Sequence, residues 1–243
     1  ALPVKLMFFR IRENSLTASQ ENPAKLYDER CSTCALKFLY IEESIALLGK
    51  SNDRITVTAC DILDEDQWPQ LFNAVQKKIG CPDLIIHTAG VFQWLPAPEA
   101  EFSDWSDLLK INLEFPIALN HFFLSEMTRR RSGCLIHFGS IASLQPYPGG
   151  AAYCGSKFGL RGYCQALFED VRDYRIKVCS IHPGQISQQK GEESLDKQAI
   201  EMNDILKTID FILSVGHASC PTEITLQPQS SYFDKALRMN LSP

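Results

Sequence analysis

The chain has 243 residues, enough for one large domain with a substantial core. Its 45% hydrophobic and 22% charged residues match an ordinary soluble globular protein and exclude disordered and fibrous classes. The net charge of −5 argues against nucleic acid or an anionic membrane surface as a partner.

From residue 55 onward, strands and helices alternate. The β-branched run 55–59 reads as a strand ending at Asp61, and 71–79 reads as a helix. Residues 83–87 are a short apolar strand that stops at Thr88-Ala89-Gly90. After a loop with Pro96 and Pro98, a helix is expected over 103–112, with Pro116 interrupting a helical region that continues toward Met127. Arg129, Arg130 and Arg131 read as a solvated helix end. Residues 134–138 form another strand, 151–174 a long helix, 178–182 a strand stopped by Pro183-Gly184, and 224–226 a last short strand. The polar stretch 184–207 reads either as a mobile lid or as a plain surface excursion.

Short apolar strands alternating with amphipathic helices imply an α/β fold with a doubly wound parallel sheet, Rossmann-like, in a single domain. Residues 1–33 stand apart as an atypical N-terminal segment before the Rossmann-like part at 34–243, and all 13 glycines fall at or after Gly49. No apolar run reaches the roughly 18 residues of a membrane span, so no membrane partner is expected. Nine cysteines, an odd number spread along the chain, point to reduced thiols and a cytoplasmic setting. Cys31 and Cys34 have C-x-x-C spacing without further ligands, so no metal site is expected.

The strongest chemical signal is Tyr153-Cys154-Gly155-Ser156-Lys157, a Y-x-x-x-K pair within a helix. Positions four apart share one helix face. A lysine ammonium there favours phenolate and draws the tyrosine pKa down from about 10 toward working pH, making it a usable proton donor and acceptor. Ser140 lies thirteen residues upstream, just past a strand end, where open α/β sheets bind ligands.

With these residues the chain resembles the short-chain dehydrogenase/reductase family. Further matches come in family order. Asp61 follows a strand, and His87-Thr88-Ala89-Gly90 resembles the family's N-N-A-G turn with both asparagines replaced. Trp105 and Ile111-Asn112-Leu113 resemble its asparagine-bearing helix. Phe138-Gly139-Ser140, His182-Pro183-Gly184 and Cys220-Pro221-Thr222-Glu223-Ile224 complete the set. The resemblance implies that Tyr153 is the acid/base and that Lys157 tunes it and binds the nicotinamide ribose. Ser140 would orient the substrate carbonyl, and Asn112 would hold a water in a proton relay. It also implies that Pro183, Gly184, Ile186 and Ser187 line the nicotinamide, that Asp61 and Ile62 flank the adenine, and that Ala89 and Gly90 form part of the cofactor cleft. The partner would be a small carbonyl or alcohol substrate, and Phe92, Trp94, Leu95, Leu144 and Tyr147, in loops expected near the site, suggest a partly apolar one. A homodimer or homotetramer is expected by the same resemblance.

One family element is missing. The glycine-rich turn after the first strand should fall near residues 10–16, where Arg10-Ile11-Arg12-Glu13-Asn14-Ser15-Leu16 contains no glycine. Side chains there would crowd a pyrophosphate, and Glu13 would repel it. Three readings stand open: a replaced N-terminal segment, phosphates held by Arg10 and Arg12, or loss of cofactor binding. The cofactor is NADP or NAD, with Lys37 favouring NADP. The alternatives are a scaffold or binding protein that keeps the fold without the reaction, and an isomerase or dehydratase that uses bound nicotinamide transiently.

Overall fold

A computed structural model describes residues 60–187 and 199–229. The expected strand at 55–59, the segment 1–33 with Cys31 and the glycine-free stretch, Cys34, Lys37, and residues 188–198 of the proposed lid lie outside the described residues.

Four strands form one parallel sheet among the described residues, in the order β1 (Leu84–His87), β2 (Gly133–Phe138), β3 (Ile176–Pro183) and β4 (Glu223–Leu226). Their apolar runs follow from cover on both faces; β3 is buried at every position but Lys177. On one face lie α1 (Gln67–Ile79), α3 (Phe115–Arg130) and α4 (Ala151–Val171), which with Ile85, Leu135 and Val178 enclose the main core around Leu71, Phe115, Leu119, Phe123 and Leu160. On the other face Ile212 of α5 (Met202–Ser214) packs with Cys134, Ile136, Cys179 and Ile181. Helices on both faces of a parallel sheet make the expected doubly wound α/β arrangement. Among the described residues, no helix is long and apolar enough to cross a membrane, and the seven cysteines are free thiols.

α1 starts four residues before the expected 71–79. Trp68 joins its buried stripe with Leu71, Phe72 and Val75, and the Trp68 indole donates to the Ile62 carbonyl at 2.9 Å. Lys77 and Lys78 lie in its last turn, favourable for the helix dipole, and Gly80 ends it at φ 75°.

Pro116 does not interrupt the helical region, contrary to expectation. It occupies the first turn of α3, directly after a π-helical turn, so the chain absorbs the missing N–H by a local change of helical pitch rather than a break. The irregularity comes just before it. α2 (Phe102–Leu109) passes into a π-helical turn, Lys110–Glu114, and then directly into α3. The basic end of α3 is not simply solvated: Arg131 closes the helix in a left-handed conformation, and Arg130 pairs with Asp83 at 3.0 Å and donates to the Cys81 carbonyl at 3.1 Å.

A polar row crosses the sheet near its carboxyl edge. His87, His137 and Ser180 are register partners on β1, β2 and β3. His137 Nε2 lies 3.0 Å from Asn120 Nδ2, which also donates to the Tyr163 hydroxyl at 3.2 Å. Burial, aided by the Lys157 charge, pushes the His137 pKa down from 6.5 to about 4. The unfolded chain therefore takes up the proton first, so stability is complete above the unfolded pKa and falls as pH drops from 6.5 toward 4. We expect urea unfolding to show about 2 kcal/mol lost to this one group between pH 7 and pH 5. His137→Asn should remove that share; an unchanged pH slope in the variant would rule it out.

Candidate active site

The carboxyl ends of β1, β2 and β3 and the first turns of α4 converge on one edge of the sheet. β2 ends at Phe138, and the Gly139 N–H donates to the Ile181 carbonyl at 2.8 Å. Ser140 and Ser143 then form a reciprocal cap over a short 3₁₀ turn, Ile141–Ser143. The Ser140 hydroxyl accepts from the Ala142 N–H at 3.2 Å, and the Ser140 N–H donates to the Ser143 hydroxyl at 3.1 Å. A hydroxyl that accepts one bond still has its hydrogen to donate, so Ser140 is equipped to bond a ligand oxygen.

α4 packs against this turn and brings Tyr153 and Lys157 to the same edge. Lys157 is only 5% exposed; its ammonium donates to the Phe138 carbonyl at 2.9 Å and lies 5.8 Å from the centre of the Tyr153 ring. The Tyr153 ring stands edge-on to Phe92, with centroids 5.0 Å apart. The loop after β1 is tied to the loop before α4, because the Trp94 indole donates to the Pro148 carbonyl at 3.1 Å and the Leu95 N–H to the Gly149 carbonyl at 2.8 Å.

Asn112 sits in the π-helical turn, 1% exposed. Its amide oxygen accepts from the Val91 N–H at 2.8 Å, while its amide nitrogen donates to the Val91 carbonyl at 2.9 Å and to the Ser156 hydroxyl at 3.1 Å. Ser156 in turn donates to the Tyr153 carbonyl at 2.7 Å. The Asn112 side chain therefore clamps the loop after β1 onto the helix of Tyr153. Sequence reasoning missed three participants here. Ser143 has the three-residue spacing of a capping box after Ser140, and Ser156 lies inside the Tyr–Lys motif, so both left a signal. Val91 left none, because it acts through its main chain.

The remaining candidates are distributed along the same edge. Pro183 ends β3, and the Gly184 N–H donates to the Leu226 carbonyl at 2.8 Å. A Cβ at Gly184 would lie 2.9 Å from Pro228 Cδ and 3.0 Å from Gln227 Oε1, so a side chain here would push against Pro228. Ile186 bridges to Ile200, and the Ser187 N–H donates to the Ile200 carbonyl at 2.8 Å. Ala89 and the buried Gly90 follow β1. Asp61 accepts from the Leu63 N–H at 3.1 Å, holding its own turn. Ile62 is buried with its carbonyl committed to Trp68, which leaves little but its N–H for a ligand.

A second tether lies one turn beyond Lys157 on the same face of α4. Arg161 bonds both oxygens of Glu223 on β4, at 2.6 and 3.0 Å, and Gln165 adds a bond at 2.9 Å. The guanidinium holds the Glu223 pKa below the usual carboxylate range. His182 lies against this pair, and burial keeps its pKa below the ordinary histidine value despite the carboxylate.

A model described as short chain dehydrogenase matches residues 28–199. The chain is 29% identical over 180 residues to a 3-oxoacyl-[acyl-carrier-protein] reductase FabG of Rickettsia conorii, covering 73% of each. It is 27% identical over 206 residues to a serine 3-dehydrogenase of Agrobacterium fabrum, covering 79% of this chain and 81% of that protein. The crystal structure of a metagenomic short-chain oxidoreductase in complex with NADP superimposes with a TM-score of 0.66 at 26% identity, covering 80% of this chain and 82% of that one.

The Ser140 turn has no spare volume. A Cβ at Gly139 would lie 2.4 Å from His182 Nδ1 and 2.8 Å from the Ser143 oxygen, whereas one at Gly155 on α4 meets nothing within 4 Å. We expect Gly139→Ala to cost about 1–3 kcal/mol by overpacking, and Gly155→Ala to add about 0.5–1 kcal/mol by helix propensity. Chemical denaturation of the two variants checks both signs; equal effects would contradict the packing.

Proposed function

The chain belongs to the short-chain dehydrogenase family of NAD(P)-dependent enzymes, and we propose that it reduces a carbonyl, or oxidises the matching alcohol, with Tyr153 as the acid/base. The observation that carries this reading is the Lys157 ammonium, buried, anchored on the Phe138 carbonyl at 2.9 Å and close to the Tyr153 ring. The described edge fits the nicotinamide end of such a cofactor. A buried cation lies beside a phenol at the carboxyl end of β2, and the neighbouring strand β3 ends in a Pro183–Gly184 turn where a Cβ would press on Pro228.

Lys157 would take the ribose hydroxyls. Pro183, Gly184, Ile186 and Ser187 would line the nicotinamide, with Ala89 and Gly90 along the cleft and Asp61 and the Ile62 N–H toward the adenine. The bound cofactor supplies the hydride and carries the redox chemistry. The protein's own part is proton delivery and orientation. Ser140 donates its hydrogen to the substrate oxygen, and Tyr153 gives the same oxygen a proton as charge develops there. Lys157 favours the phenolate that remains. Phe92, Trp94, Leu95, Leu144 and Tyr147 line an approach suited to a partly apolar carbonyl compound. NADP is the favoured form on the strength of Lys37. The setting is cytoplasmic, and the protein works as a homodimer or homotetramer.

The glycine-free stretch at 10–16 favours a second reading, a protein of this fold that binds no nucleotide. Titration with NADPH and NADH, followed by fluorescence, separates the two. Saturable binding is expected, and none with either nucleotide would establish the scaffold. In a screen of carbonyl compounds with NADPH, Tyr153→Phe should lower kcat by about 10²–10⁴-fold. Full turnover by that variant would end the proposed mechanism.

A further inference from the structure

His182 is fully buried on β3, two residues after Ser180 and directly before the Pro183–Gly184 turn. Its Nε2 lies 3.0 Å from the Ser180 hydroxyl, and that hydroxyl donates onward to the Thr222 carbonyl at 3.4 Å. The Ser180 hydroxyl thus ties the imidazole Nε2 to the neighbouring Thr222 main chain. The Glu223 carboxylate lies 3.7 Å from the same nitrogen. The other ring nitrogen, Nδ1, lies under Gly139, at 2.4 Å from where a Cβ would stand.

These contacts join two parts of the candidate site. Arg161 lies two turns after Tyr153 on one face of α4 and grips Glu223 with two bonds. Glu223 and Ser180 set the orientation of the imidazole. The imidazole supports Gly139, whose neighbour is Ser140. We propose that His182 is a positioning residue for Ser140, transmitting the placement of the Tyr153 helix and β4 to the serine turn. The proposal rests on the reading of Ser140 as the group that orients the substrate oxygen. Such a support matters because a displacement of about 1 Å of an orienting group costs on the order of 10²-fold in rate.

Two measurements on the full chain test this. In carbonyl reduction with NADPH, His182→Leu should lower kcat about tenfold or more while leaving NADPH affinity within about twofold. His182→Gln, which keeps a hydrogen-bonding group near the Nε2 position, should recover most of the loss. In a Ser140→Ala background, His182→Leu should add almost nothing; an undiminished further loss would overturn the proposal, because a general structural role acts equally in both backgrounds. The second measurement needs no turnover. Glu223→Gln should shift the Gly139 and Ser140 amide resonances in an otherwise unaltered chain and leave them in place in the His182→Leu chain. Equal shifts in both chains, or none in either, would overturn it. Absence of any carbonyl reduction would count against the proposed function alone, and the resonance comparison would still decide the role of His182.

Discussion

An ammonium removed from water must be bonded, or its burial costs several kcal/mol. Lys157 meets that demand with the carbonyl of Phe138, the last residue of β2. This one bond fixes α4 against the end of the sheet. Tyr153 lies one turn before Lys157, and Ser140 two residues after Phe138, so the anchoring that makes the cation tolerable also brings the phenol and the hydroxyl to one edge. The parallel order of β1 to β4 makes this possible, because every strand delivers its carboxyl end to the same side.

Further tethers reinforce that edge. The Asn112 amide bonds both main-chain groups of Val91 and reaches Ser156, joining the loop after β1 to α4. The Arg161–Glu223 pair joins α4 to β4 from below. An amide that uses both its ends on protein partners is a clamp, and it is well suited to hold a cleft wall in place. The polar row of His87, His137 and Ser180 runs beneath, in a layer that a purely apolar core would not need.

Much of this was legible in the residue order. Continuous apolar runs located β1 to β4 within two residues at either end, since strands covered on both faces carry that pattern. Spacing alone put Tyr153 and Lys157 on one helix face, and the order of short motifs identified the family. The start of α1 was missed because Trp68 joins the helix through a bond to Ile62, a contact outside any helical period. The π turn was missed because Pro116 resembles a break, whereas the helical region continues past it by way of a wider turn.

The amino-acid order thus determined the layered α/β fold, the family and the helix face shared by Tyr153 and Lys157, because periodicity and short motifs are local properties of a chain. Tertiary structure alone decided how those groups are held: Lys157 on the Phe138 carbonyl, Asn112 spent on Val91, and His182 wedged beneath Gly139. Each of these joins residues from different elements, at least nineteen positions apart in the chain. The geometry that unites them exists only once the sheet and its helices have packed.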